Sequence, residues 1–164
     1  MRIRNVSATA LLLTTITLPQ AANAKWVADP AHTQVTFKVK HLAILDVDGR
    51  FDRFSVDVSA NEKSPELSSV VAKIETTSIN TNNEKRDAHL RSGDFLLAEK
   101  FPQITFASKT IKKRANDKLV INGDLTIRGV TKQVDLEKTF SPIVRTPWGS
   151  RTIAFSATTK INLL

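Results

Sequence analysis

The 164-residue chain contains no cysteine. That excludes disulfides, thiolate metal sites, a cysteine nucleophile and a lipidated N-terminal cysteine. Packing and hydrogen bonds alone must hold together whatever it folds into. Nor is there an apolar run near the ~20 residues that a membrane-crossing helix needs, so a stable membrane anchor is not expected. Internal repeats, linkers and low-complexity stretches are missing too. No Gly-x-Ser-x-Gly elbow occurs, and no Gly-rich phosphate loop precedes a helix. Carboxylates are present, but no pair is marked out as acid and base. The enzyme reading therefore has nothing positive behind it, and the expectation is a non-catalytic protein with no cofactor.

The N-terminus is distinctive. Arg2 and Arg4 give a positive start, Ala8 to Leu18 is apolar except for threonines, and Ala22-Asn23-Ala24 offers a small-x-small cleavage pattern after Pro19. These features are those of a secretory signal peptide at residues 1–24, leaving an exported domain at 25–164. The 140 residues that remain suffice for one domain with a real core. They carry 22 Lys+Arg against 16 Asp+Glu, a net charge of +6. Such a surplus favours anionic partners. Nucleic acid is excluded on the expected export and because the basic residues are scattered. Their one cluster, Lys112-Lys113-Arg114, reads as a solvated hairpin tip before Asn116-Asp117. Transient contact with a membrane surface is compatible with this charge, and so is a dimer.

Most of the exported part alternates at the strand period. Val35, Phe37, Val39 and His41 share one face. Val47, Gly49 and Phe51 run in odd register, followed by Phe54, Val56 and Val58 in even register, which predicts a bulge near Asp52-Arg53. Further faces comprise Val70, Ala72 and Ile74; Ile104 and Phe106; Leu119 to Ile127; Val134 and Leu136; and Ile153, Phe155, Ala157, Thr159 and Ile161. Gly49 and Gly123 inside strands suggest bends or close backbone approach.

One stretch breaks the alternation. Thr81-Asn82-Asn83-Glu84 fits a capping box, with a helix running through Arg86, Leu90 and Arg91 until Gly93 stops it and a short turn through Phe95 and Leu96. The expectation is a helical insertion at about 82–97 in an antiparallel sheet. Two readings of its charges stand side by side. Asp87 and Arg91 form an i,i+4 pair, or Arg86 and Arg91 turn guanidinium forks to an anionic headgroup.

Seven half-buried faces are covered most simply when a sheet closes on itself. A barrel of about eight strands is just wide enough for packed side chains or one small ligand. The alternation does not separate a filled barrel from a hollow one. His32, His41 and His89 match no metal-ligand spacing, and their expected role is hydrogen bonding. His41 shares the parity of Phe37 and is also placed at a cavity mouth.

Several motifs together resemble the YceI family of periplasmic polyisoprenoid-binding proteins. They are Asp29-Pro30-Ala31-His32-Thr33 leading into Phe37, Val47-Asp48-Gly49-Arg50-Phe51, the stretch from Ser78-Ile79-Asn80 to His89-Leu90-Arg91-Ser92, Phe101-Pro102, and Gly123-Asp124-Leu125-Thr126-Ile127-Arg128-Gly129. The resemblance spans residues 26–162. It implies a lipocalin-like antiparallel β-barrel with an elongated apolar cavity for an isoprenoid or similar chain, and a periplasmic location. Family members continue beyond Leu164 with a final strand, so it also implies a barrel short of its closing strand. Combined with the inward parity, it assigns Val35, Phe37, Val39, Phe51, Phe54, Ile74, Leu90, Phe95, Phe106, Leu125 and Phe155 to the cavity, with His41, Arg86 and Arg91 at the headgroup or mouth. The expected partner is a long-chain lipid or isoprenoid, sequestered or transported. The alternative is a packed barrel acting as a periplasmic interaction or stress protein through its basic surface.

Overall fold

A computed structural model of the chain describes residues 24–41, 45–61, 68–114, 119–140, 144–147 and 149–161. Residues 1–23 of the proposed signal peptide and the Asn116-Asp117 tip lie outside them. In chain order the strands are β1 (Ala24–Val27), β2 (Val35–His41), β3 (Leu45–Phe51), β4 (Phe54–Ala60), β5 (Ser69–Glu75) and β6 (Ile79–Asn80). After helix α1 (Glu84–Arg91) come β7 (Gln103–Lys113), β8 (Leu119–Ile127), β9 (Val130–Phe140), β10 (Val144–Arg145), β11 (Arg151–Thr152) and β12 (Phe155–Thr158). All pairings among them are antiparallel. One seven-stranded sheet has the order β1-β4-β5-β7-β8-β9-β12, a second has the order β2-β3-β6, and β10-β11 is a separate hairpin.

The sheets meet at a corner that explains the parity slip. Phe51 ends β3 and Phe54 opens β4, with Asp52 and Arg53 as bends between them. Opposite, the 3-10 turn Thr76–Ser78 separates β5 from β6. The backbone N–H of Asp52 donates to Ser78 O and that of Glu75 to Arg53 O, each at 3.0 Å, so the ladder runs through the bend. The expected bulge inside one strand is therefore a corner at which two paired strands turn together. An actual register shift lies elsewhere, between Ser108 and Thr110 on β7. The last strand is also shorter than its alternation suggested. Only Phe155–Thr158 pairs with β9, leaving Ile153, Thr159 and Ile161 outside.

Cross-strand register gives the seven-stranded sheet one apolar face. Val58, Val70, Phe106, Ile121 and Leu136 all lie on it. The core divides into two clusters on that side. Val70, Phe106, Ile111, Leu119 and Ile121 form one; Phe51, Ile79, Leu96 and Ile104 form the other, and Leu125 packs against both. Glycine keeps the sheet thin where aromatic rings cross it. Phe37 is the register partner of Gly49, and a Cβ there would sit 2.2 Å from the ring tip. A Cβ on Gly123 would meet the Phe106 ring at 2.6 Å and the Ala107 carbonyl at 2.4 Å. The guanidinium of Arg151 lies 5.8 Å from the Trp26 ring centroid, which brings the segment before β12 towards β1, the opposite edge. The result, among the described residues, is a curled antiparallel half-barrel with one short α-helix.

Candidate functional site

The concave face is apolar, and its packing is incomplete. Val56, Val58, Ala72, Val134 and Leu136 pack against the first cluster while only partly buried. Phe155, on the edge strand, is 41% exposed. Such a face is a surface on which apolar matter other than the protein's own side chains gains by desolvation.

A buried charge lies on that face. Counting inward from Val134 and Leu136, the next residue of the same parity is Lys138, with Leu119 on one side and Ala157 on the other. It is only 6% exposed. Its ammonium stands 4.7 Å from the Phe155 ring centroid, within cation–π range. Burial disfavours the charged form and lowers its pKa to about 8. Lys113 shares the row, as the register partner of Leu119 on the other side. Sequence reasoning stopped the apolar face at Leu136 and missed Lys138. The signal was available: a lysine two residues on, in unbroken parity.

The helix fastens to the corner through polar groups. Asp87 is buried and its Oδ1 accepts from the Thr81 N–H at 2.9 Å and the Thr81 hydroxyl at 2.6 Å. Arg86 donates through Nε to Thr81 Oγ1 and through Nη2 to Thr81 O, both at 2.7 Å. Asn83, not Thr81, caps the helix, its side chain accepting from the Arg86 N–H, so the expected capping box is replaced by an Asn cap. The expected Asp87–Arg91 pair does not form either; Arg91 Nη2 meets Glu84 Oε1 at 2.7 Å. Asn80 Nδ2 and Arg50 Nε each donate to Asp52, and the Asn80 bond followed by the Arg50 bond holds the Asp52 carboxyl below its ordinary pKa. Asp52, Asn80, Glu84, Asp87 and Arg91 line a polar depression of about 330 Å³. The structure thus gives Arg86 and Arg91 protein partners near three carboxylates.

The other assigned residues divide. Phe106 is buried in the first cluster and Phe51 in the second, where Val35, Phe37, Ile74, Leu90 and Leu125 pack. Phe54 is half-buried and pairs with Ile74. Phe95 is exposed and meets His89 edge-on at 4.9 Å; its neighbour Leu96 enters the core instead. Val39 is 40% exposed. His41 ends β2, and its side chain lies outside the described residues. His32 contacts Asp29 and His89 contacts Asp94; the His32 hydrogen bond leads in lowering the Asp29 pKa. His32 and His89 thus have separate carboxylate partners.

A curled antiparallel sheet with a one-helix corner and an incompletely covered apolar concave face defines a lipocalin-like half-barrel. Within that class the chain belongs to the YceI family, whose YceI-like domain matches residues 26–164. A UPF0312 protein of Vibrio campbellii is 40% identical over 163 residues, spanning 98% of this chain and 86% of the relative. One from Shewanella baltica is 41% identical over 153 residues, 92% and 80% of the two chains. The crystal structure of a Campylobacter jejuni YCEI protein superposes with a TM-score of 0.66 at 37% identity, over 80% of this chain and 77% of that one. BcnA of Burkholderia cenocepacia shares the fold, with a TM-score of 0.67 at 24% identity over 71% and 73%.

Proposed function

We propose that the protein binds a long-chain apolar ligand on its concave face, a polyisoprenoid or an isoprenoid quinone precursor, and sequesters or carries it in the periplasm. One observation carries this reading. Val56, Val58 and Ala72 on β4 and β5, and Val134 and Leu136 on β9, pack against the buried first cluster while remaining only partly buried themselves. Each CH₂ moved there from water gains roughly 0.8 kcal/mol, so an isoprene unit of five carbons contributes about 3 kcal/mol before the entropic cost of ordering the chain. Affinity then needs no strong polar contact. Export rests on the leader-like residues 1–24, and membership of the family supports a binding role over a catalytic one.

The test is native mass spectrometry of protein purified from the periplasm, with organic extraction of bound material. A long-chain isoprenoid or related lipid at near one per chain is expected. A folded, lipid-free protein that also refuses added geranylgeraniol would overturn the proposal. Phe106 is unsuitable for the companion substitution, because it is 5% exposed and its loss tests the core. Leu136→Glu, at a half-buried position, should abolish uptake while the protein stays folded.

A further inference from the structure

We propose that the indole N–H of Trp26 donates a hydrogen bond to an oxygen on the head of the bound ligand, and so selects an oxygenated chain over a bare hydrocarbon. The inference rests on the apolar-ligand reading above and adds a polar contact to it. Trp26 lies on β1, an edge of the seven-stranded sheet. Its register partner is Val58, whose own partner on β5 is Val70, so the indole stands on the apolar face beside the first cluster. Its Nε1 is buried, and among the described residues nothing accepts from it. The same-face side chains on β4 and β5 are Val56, Val58, Ala60, Val70 and Ala72, and they offer only hydrocarbon.

A buried N–H without an acceptor carries the full cost of its desolvation, and protein interiors rarely leave one so. Phenylalanine would fill the same apolar position without that penalty, whereas tryptophan adds a donor that calls for a partner. Because folding has already removed this donor from bulk solvent, a ligand oxygen that reaches it gains the bond with no further desolvation of the protein. The indole donates and never accepts, so carbonyl, hydroxyl and phosphoryl oxygens qualify and a hydrocarbon does not. The place suits a ligand's head. The ring is only partly buried and its strand has a neighbour on one side only, so a modest rotation presents the N–H to an oxygen entering from that edge. The Arg151 guanidinium, from the segment before β12, lies 5.8 Å from the ring centroid, which sets the indole where the two edges of the sheet approach each other.

The experiment compares geranylgeraniol and geranylgeranial with the matching hydrocarbon, in which hydrogen replaces the hydroxyl, on delipidated wild-type protein and on Trp26→Phe. One bond to a donor that is already buried predicts a preference of about tenfold for each oxygenated chain over the hydrocarbon. Trp26→Phe should lose that preference and keep the hydrocarbon affinity, which comes from apolar burial, within about twofold. A second readout does not depend on that variant folding. In Trp148→Phe, which leaves Trp26 the sole tryptophan, the indole N–H resonance should move downfield with either oxygenated chain and far less with the hydrocarbon. Either order between the two oxygenated chains supports the bond, the aldehyde leading for a carbonyl head and the alcohol for a hydroxyl. Equal binding of all three by the wild type, a preference retained in Trp26→Phe, or an indole resonance unmoved while geranylgeraniol binds would overturn the Trp26 bond and leave the apolar-ligand reading standing. Failure of the wild type to bind any of the three would overturn both.

Discussion

Replacing Asp87 by alanine should cost more stability than almost any other polar substitution in this chain. The carboxylate is buried and accepts two hydrogen bonds from one residue, the Thr81 N–H at 2.9 Å and the Thr81 hydroxyl at 2.6 Å. Hydrogen bonds to a charged acceptor contribute about 1.5–3 kcal/mol each, and an unsatisfied buried donor costs about 1–3 kcal/mol. The hydroxyl can turn to another acceptor, but the backbone N–H cannot. About 3 kcal/mol is the expected loss, equivalent to a fall of roughly 10 °C in Tm for a domain of this size. Asp87→Asn keeps an acceptor oxygen in place and loses only the charge, so about 1 kcal/mol is expected. Urea unfolding followed by far-UV circular dichroism measures both. Because Arg86 holds the same Thr81 through Nε and Nη2, Asp87→Ala and Arg86→Ala should be non-additive. An Asp87→Ala variant within 0.5 kcal/mol of wild type would refute the view that these residues fasten the helix to the corner.

Two further outcomes follow from the same geometry. Gly123→Ala should destabilise by about 2–4 kcal/mol and Gly49→Ala by about 1 kcal/mol, as read by thermal melts. The first drives a Cβ into a backbone carbonyl, the second only into the tip of a ring that can swing away; an inverted order would show that the rings do not lie as described. Lys138→Met should raise stability at pH 7. Burial lowers the native lysine's pKa to about 8 from the ordinary 10.5, so between those values the unfolded chain binds more protons and wild-type stability rises with pH. The variant's advantage is therefore full below pH 8 and fades towards pH 10.5. The shift sets a ceiling of about 3 kcal/mol, and residual solvent access reduces the expected gain to about 1–2 kcal/mol. Chemical denaturation of both proteins at pH 7, 9 and 10 checks it, and a pH-independent difference would refute it.

The strands that bury one face announced themselves through alternation, since period 2 survives wherever a sheet has a wet side. The Arg128-Gly129 turn was equally legible: both residues have positive φ and they close the two-residue loop between Ile127 and Val130. Two kinds of feature escaped. The corner at Asp52-Arg53 left the same parity signature as a bulge, because a count along one strand does not show that its partner bends as well. The stretch from Ser78 to Arg91 was read as a capping box and a salt-bridged helix from local spacing. In the structure its polar groups reach backwards instead: Asp87 and Arg86 to Thr81, Ser78 to Glu75 O, and Asn80 to Asp52. Helical spacing reports i,i+4 neighbours and says nothing of contacts with the strand before the helix. These polar residues thus have a structural task in fastening the helix to the strand before it.

That task bears on where a ligand's polar end belongs. Arg86 and Arg91 suit an anion by chemistry, yet Arg86 is engaged with Thr81 and Arg91 with Glu84, beside Asp52 and Asp87. An incoming phosphate would have to displace those contacts and approach several carboxylates, at a cost of several kcal/mol. Lys138 is buried beside the Phe155 ring, where desolvation disfavours its charged form. Arg91→Met removes the Glu84 contact and should lower melting without changing the relative binding of geranylgeranyl phosphate and geranylgeraniol. The reverse pattern would return the headgroup to the helix.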